Sequence, residues 1–173
     1  MTRRFVLTGG PGAGKTAILD QLSKQGFRTA SDVARDIIRE RKLQGLTPRP
    51  DPQAFAEECH RRNVDAWEAS QECEVIFYER CACDSIAGLL GSGLISSDRA
   101  DQLMAQYRYD APIFIPPPWE AIYTTDSERD HTFDHAVRVH EQTLRWYRRY
   151  DYQVCEVPVG PVEDRVNYVL SKM

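Results

Sequence analysis

The residues with the clearest chemical signature form a glycine-rich run near the amino terminus, Gly9-Gly10-Pro11-Gly12-Ala13-Gly14-Lys15-Thr16. This run fits the pattern G-x-x-x-x-G-K-[ST] at every fixed position. Its glycines allow the backbone to curl so that successive N–H groups face inward, and the concavity at the start of a helix then suits a phosphate group. We therefore predict that Gly10, Gly12, Ala13 and Gly14 bind the phosphates of ATP or GTP.

Two side chains at the end of this run are placed to act on a bound triphosphate. The ammonium group of Lys15 can bridge the β- and γ-phosphates, and the hydroxyl of Thr16 can ligate Mg²⁺. A short apolar run, Phe5-Val6-Leu7, precedes the glycines, and a stretch with apolar residues at helical spacing follows them. This order of strand, loop and helix favours a nucleoside triphosphate site over a chance glycine-rich turn.

Further candidates follow the predicted strands, because ligands of open α/β sheets bind at the carboxyl ends of the strands. Asp32 is the candidate general base for an acceptor hydroxyl, although it could also begin a helix, and the two roles are compatible. Glu79 could hold Mg²⁺ through water, or be a solvated strand end. Arg35, Arg80 and Asp84 are candidates for substrate binding, and Asp84 could instead cap the next helix.

A polar segment after the fourth predicted strand is typical of a mobile lid, and we place this lid at about residues 117–133. Within it Arg129 is the candidate catalytic cation for the γ-phosphate, the alternative being a solvated loop arginine. His131 and His135 have a spacing that could mimic metal ligation. No matching cysteine or carboxylate cluster accompanies them, so a transition-metal site is disfavoured.

The composition is that of an ordinary globular chain. It has 173 residues, of which 42% are hydrophobic, and 22 basic against 26 acidic residues give a net charge of −4. The acidic balance argues against a general nucleic-acid binder, and no apolar run is long enough to span a membrane. Arg3-Arg4 is followed by too short an apolar run for a signal peptide, and five cysteines suit a reducing compartment. We therefore expect a cytoplasmic protein.

Strands and helices alternate along the chain, which predicts a three-layer α/β/α sandwich with a five-stranded, mostly parallel sheet. No linker divides the sequence, so a single domain over residues 1–173 is expected, with a helical cover for the acceptor at about residues 44–73. The predicted strands are 5–7, 27–30, 75–78, 113–115 and 152–157. The predicted helices are 14–24, 32–41, 52–72, 85–90, 97–107, 133–150 and 162–170.

Several segments together resemble one family, the small bacterial AAA-type P-loop domain related to nicotinamide-riboside kinase. They are Gly9 to Thr16, Ser31 to Arg35, Val75 to Ser85, Pro117-Pro118-Trp119-Glu120 with Tyr123, Asp126 and Arg129, and Glu156-Val157-Pro158-x-Gly160-x-Val162-Glu163-x-Arg165-Val166. The resemblance implies a nucleotide-kinase-like P-loop fold with a site for ATP or GTP and Mg²⁺. It also implies that Pro158 lies beside the nucleotide base. Cys81-Ala82-Cys83 departs from the pattern of the family, so its substrate contacts do not carry over there.

Two functions are compatible with these observations. The first is a Mg²⁺-dependent phosphotransferase acting on a small molecule such as a nucleoside, with Asp32 as base and with Lys15 and Arg129 stabilising the transferring phosphoryl group. The second is a nucleotide-dependent switch or slow NTPase that signals to a protein partner. A deep acceptor pocket near Asp32 and Arg80 would distinguish the first from the second.

Overall fold

A parallel sheet forms the centre of the molecule. The computed structural model describes residues 1–49, 51–123 and 132–173, and in these residues five strands pair in the order β2-β3-β1-β4-β5. The strands are β1 (Arg3–Leu7), β2 (Arg28–Ala30), β3 (Val75–Glu79), β4 (Ile113–Ile115) and β5 (Val154–Glu156). Every pairing is parallel, so the described carboxyl ends of the strands meet at one edge of the sheet.

Seven α-helices pack around this sheet within the described part of the chain. They are α1 (Lys15–Lys24), α2 (Val33–Leu43), α3 (Pro52–Ala69), α4 (Ala82–Gly91), α5 (Ser97–Gln106), α6 (Phe133–Arg149) and α7 (Val162–Leu170). Two short 3-10 turns, Ser70–Glu72 and Glu120–Ile122, complete the described elements. The predicted α/β sandwich is confirmed. The predicted single domain, with a helical cover at about residues 44–73 and a lid at about residues 117–133, stays a prediction.

The alternation of side chains along the strands divides the core into two layers. Phe5 and Leu7 point to the face covered by α1 and α7, whereas Val6 between them points to the face covered by α4, α5 and α6. Both layers consist of fully buried apolar side chains, which explains why the strands read as continuous hydrophobic runs. Because β1 lies between the two layers at the centre of the sheet, its carboxyl end and the glycine-rich loop that follows are held in place from both faces.

Most element boundaries differ from their prediction by one to three residues, and α4, α3 and β5 are examples. Helix α4 begins at Ala82 rather than at residue 85, because the Asp84 carboxylate accepts a hydrogen bond of 2.9 Å from the backbone N–H of Cys81 and so starts the helix earlier. Helix α3 ends at Ala69, and the predicted remainder forms a 3-10 turn. Strand β5 is shorter at both ends. None of the described helices combines the length and the apolar character that crossing a membrane requires.

Candidate functional site

The glycine-rich loop joins β1 to α1 and depends on glycine at particular positions. Gly12 and Gly14 have φ angles of 77° and 76°, in the left-handed region that side chains disfavour. At Gly10 the limit is space, because a Cβ atom there would lie 2.4 Å from the carbonyl oxygen of Ala136 in α6. The loop therefore fits tightly against α6, and its predicted residues Gly12, Ala13 and Gly14 line one cavity of about 220 Å³.

The side chain of Lys15 is buried in the floor of this site. It is 5% exposed, and its Nζ atom donates a hydrogen bond of 2.8 Å to the carbonyl oxygen of Gly10. Burial, together with the charge of Arg80, lowers the pKa of Lys15 to about 8, although Glu79 opposes the shift. An anion bound in the loop would stabilise the charged form of this amine and raise its pKa again.

Thr16 and Glu79 bring two oxygen-bearing side chains together beside Lys15. The Thr16 hydroxyl lies 3.0 Å and 2.9 Å from the two carboxylate oxygens of Glu79, to which it donates. Glu79 is buried and ends β3, so the parallel pairing of β1 with β3 places it next to the loop. Among the described residues no group of three or more metal-ligating side chains occurs. A hydroxyl and a carboxylate are the donor types that Mg²⁺ uses when substrate phosphates complete its shell.

Asp32 and Arg80 form the opposite wall. Asp32 caps α2 by accepting a hydrogen bond of 3.0 Å from the N–H of Ala34, and its other oxygen, Oδ2, lies 3.4 Å from Nε of Arg80. Arg80 also donates a hydrogen bond of 3.0 Å to the carbonyl oxygen of Gly9. Its φ angle of 60° is unusual for a residue with a side chain. Arg80 therefore connects the loop to the predicted base, and Asp32 does cap a helix while it faces the site.

A cavity of about 320 Å³ lies between these walls. Residues from the loop, α2, the end of β3 and the starts of α4 and α6 line it: Pro11, Lys15, Asp32, Ala34, Arg35, Ile38, Arg49, Glu79, Arg80, Asp84, Ser85, His135 and Val139. The structure thus brings together at one cavity six of the residues selected from the sequence. It also adds residues that the sequence did not single out, such as Ile38, Arg49 and Ser85.

The carboxylate of Asp84 is occupied by internal hydrogen bonds. It accepts one from the Thr8 hydroxyl and one of 3.0 Å from the Tyr147 hydroxyl, besides the one from Cys81. These contacts tie the start of α4 to β1 and α6. Asp84 lines the cavity, but its hydrogen bonds match the alternative prediction, a helix cap, more closely than an acceptor contact.

Cys81 and Cys83 lie in the core and not in the cavity. Both are 0% exposed, and neither lines the 320 Å³ cavity. The Cys81 thiol lies 3.3 Å from the Tyr147 hydroxyl, and burial raises its pKa well above the ordinary value. The chain buries them because α4 begins directly at the end of β3.

Two arginines of α3 and Pro158 do not line the 320 Å³ cavity. Arg61 and Arg62 on α3 pair with carboxylates of α2 and α3 and do not line the 320 Å³ cavity. Pro158 is exposed in the loop after β5. Arg129 and His131 fall outside the described residues, so their predicted roles stay predictions.

Two residues on the outer side of the loop were missed as functional. Arg165 of α7 is 3% exposed, and its Nη2 donates a hydrogen bond of 2.7 Å to the carbonyl oxygen of Ala13. Tyr123 packs on the loop so closely that a Cβ atom on Gly12 would lie 2.4 Å from its ring. Arg165 lies three residues after Val162 and four before Val169, a spacing that predicts the buried face of a helix. A buried arginine was thus the signal in the sequence.

The sequence matches a known protein family. A family model described as an AAA domain matches residues 4–165 of the chain. A comparison with the sequences of curated proteins finds no match.

Three solved structures share the fold at low sequence identity. The NadR protein in complex with NR has a TM-score of 0.72 at 13% identity, over 98% of this chain and 49% of that chain. This chain therefore spans about half the length of that NadR protein. Thymidylate kinase from Ehrlichia chaffeensis has a TM-score of 0.61 at 15% identity, over 98% of this chain and 97% of that one. Deoxyadenosine kinase from M. mycoides with bound dATP has a TM-score of 0.56 at 10% identity, over 97% of each chain.

These three likenesses show the fold alone, because all lie far below the identity at which substrates can be transferred. The family match has a wider basis, since it runs from the first strand through the glycine-rich loop to the arginine of the last helix. With its glycine-rich loop and parallel sheet, the chain belongs to the AAA domain family.

Proposed function

We propose that this protein is a Mg²⁺-dependent phosphotransferase that moves the terminal phosphoryl group of ATP or GTP to a hydroxyl of a small molecule. The observation that carries the proposal is the shared cavity of about 320 Å³, which has Lys15 and Glu79 on one wall and Asp32 and Arg80 on the other. A donor site and a carboxylate base facing one enclosed space are what transfer to a hydroxyl requires.

In this reaction the acceptor oxygen forms a bond to the γ-phosphorus while the bond between that phosphorus and the β–γ bridging oxygen breaks. The bridging electron pair leaves with the nucleoside diphosphate, and the hydroxyl proton passes to Asp32. Lys15 stabilises the charge on the phosphoryl group, and the ion pair with Arg80 holds the Asp32 carboxylate in position. Arg129 is assigned the role of a second cation from the predicted lid.

Thr16 and Glu79 are the residues proposed to hold Mg²⁺. Their oxygens already lie within 3.0 Å of each other in the phosphate cavity, and both are hard ligands of the kind that the ion prefers. An ion held there would neutralise charge on the triphosphate. The side chains of Lys15 and Asp32 keep the roles given above.

The proposed acceptor is a nucleoside or a close analogue. The solved structures with this fold include a protein in complex with NR and enzymes named as deoxyadenosine kinase and thymidylate kinase. The lining of the cavity suits such an acceptor, because Asp32 and Arg35 can bind sugar hydroxyls while Ile38 and Val139 offer apolar contact to a ring. The cavity volume also falls in the range of small-molecule sites.

The proposal is tested by incubating the protein with Mg²⁺, ATP or GTP and a panel of nucleosides, and by measuring phosphorylated product. Asp32→Asn should lower transfer by about 100-fold or more, because the base is lost, while nucleotide affinity is kept. Asp51→Asn is the matched control, since Asp51 caps α3 as Asp32 caps α2 and asparagine caps a helix equally well. Undiminished transfer by Asp32→Asn would remove Asp32 from the mechanism.

One observation favours a nucleotide-dependent switch as the second candidate function. The described part of the predicted lid, residues 117–123, touches the loop directly, with Ile122 lining the phosphate cavity and Tyr123 against Gly12. A triphosphate in the loop would therefore push on this segment. Phosphate release without product from any nucleoside in the panel, together with nucleotide-dependent proteolysis near Tyr123, would support the switch over the kinase.

A further inference from the structure

Arg165 is a buried cation that the proposed reaction does not use. It lies in the first half of α7, on the outer side of the phosphate loop, and only 3% of its surface is exposed. No described carboxylate forms an ion pair with it, and its Nε atom has no hydrogen-bond partner among the described residues. Burial accordingly lowers the pKa of Arg165.

Two of the contacts of this guanidinium are with the glycine-rich loop, and a third is with an aromatic ring. One nitrogen donates to the carbonyl oxygen of Ala13 at 2.7 Å, and a Cβ atom on Gly14 would lie 2.5 Å from another. The ring of Trp119 lies 5.7 Å from the guanidinium carbon and covers it on a further side. Glycine is thus required at position 14 for two reasons: the φ angle is positive, and Arg165 leaves no space for a Cβ atom.

An unpaired buried charge costs stability unless a counter-charge reaches it. In this fold the place for such a counter-charge is the cavity of about 220 Å³ on the inner side of the same loop, lined by Ala13 and Gly14. The peptide between these two residues connects both sides, since its carbonyl accepts from Arg165 and its N–H belongs to Gly14. A charged donor on the carbonyl polarises the peptide and strengthens that N–H as a donor.

We propose that Arg165 is a positioning residue for polyphosphate, a second fixed positive charge that acts through the Ala13–Gly14 peptide. It fixes the orientation of this peptide and adds its field to that of Lys15 without touching the phosphate. The inference rests on polyphosphate binding in the loop and does not depend on which acceptor is phosphorylated.

The test compares three variants by calorimetry with Mg-ATP and with inorganic tripolyphosphate. Arg165→Met removes charge and hydrogen bond, Arg165→Gln keeps a hydrogen-bond donor without charge, and Arg165→Lys keeps the charge. We expect about tenfold weaker binding of both ligands by the Met and Gln variants and recovery of affinity in the Lys variant. Arg28→Met, at an exposed arginine that begins β2, is the matched control and should bind like the parent protein.

The unfolding temperature without ligand separates this role from a merely structural one. Because no carboxylate in the described part of the chain compensates the charge, Arg165→Met should unfold at a temperature equal to or above that of the parent protein. A lower unfolding temperature, or full affinity in the Gln variant, would overturn the inference. Should the parent protein bind neither ligand, the phosphate site itself fails, and the proposed function fails with it.

Discussion

The proposed donor half and the proposed acceptor half of the site are built in different ways. The donor half consists mainly of backbone from eight consecutive residues, with Lys15 buried inside it. The acceptor half consists of side chains from α2, α4, α6 and the end of β3, held by pairs such as Asp32 with Arg80. The donor half is therefore specified locally and tolerates little change, whereas the acceptor half depends on contacts between distant parts of the chain and can be altered piece by piece.

The strongest test of this contrast is Lys15→Ala. Lys15 is the only charged residue in the run from Gly9 to Thr16, so its loss should lower turnover by about 100-fold or more and weaken triphosphate binding. Turnover assays and calorimetry measure the two effects. Lys24→Ala, on the last turn of the same helix, is the control, and unchanged turnover in Lys15→Ala would refute the assigned role.

A second test uses pH and concerns the donor half alone. The pKa of Lys15 is lowered to about 8 in the empty loop, and a bound polyphosphate raises it, so binding takes up a proton when the pH exceeds this value. Affinity for Mg-ATP should fall about tenfold between pH 7 and pH 9. Calorimetry in buffers of different ionisation enthalpy counts the protons, and zero uptake at pH 9 would contradict the assignment.

The smallest expected effect lies at the outer edge of the acceptor half. Arg62 bridges Glu40 of α2 and Glu58 of α3, but these side chains are partly exposed, so Arg62→Met should cost at most about 1 kcal/mol of stability. Transfer to the acceptor should stay within about twofold of the parent rate, because Arg62 does not line the cavity. Denaturant unfolding and steady-state assays measure both, and a large loss of transfer would extend the acceptor site onto α3.

The same contrast explains what could be predicted from the sequence. The phosphate loop and the alternation of strands and helices were predictable, because a local motif and local hydrophobic periodicity specify them. Helix α7 was predicted with its observed bounds, Val162–Leu170, since its apolar residues recur at helical spacing. The start of α4 could not be predicted in this way. It depends on the Asp84 carboxylate, which also accepts hydrogen bonds from Thr8 and Tyr147 in other parts of the chain.

Arg165 shows why part of the site was beyond sequence reasoning. Its spacing indicated a buried helix face. Its partner Ala13 lies 152 residues earlier, and the local pattern of neither segment predicts a contact between them. In the acceptor half, Asp32 and Arg80 were selected separately, while their pairing follows from the neighbouring positions of β2 and β3 in the sheet. Such pairings depend on topology rather than on local pattern.

The bond from Arg165 to Ala13 also has a consequence for the order in which the molecule becomes competent. During synthesis the glycine-rich loop leaves the ribosome some 150 residues before the helix that carries Arg165. On the proposed role of Arg165, a nascent chain that contains the whole glycine motif but not α7 binds a triphosphate weakly. Tight capture of nucleotide would then begin only when α7 docks on the loop.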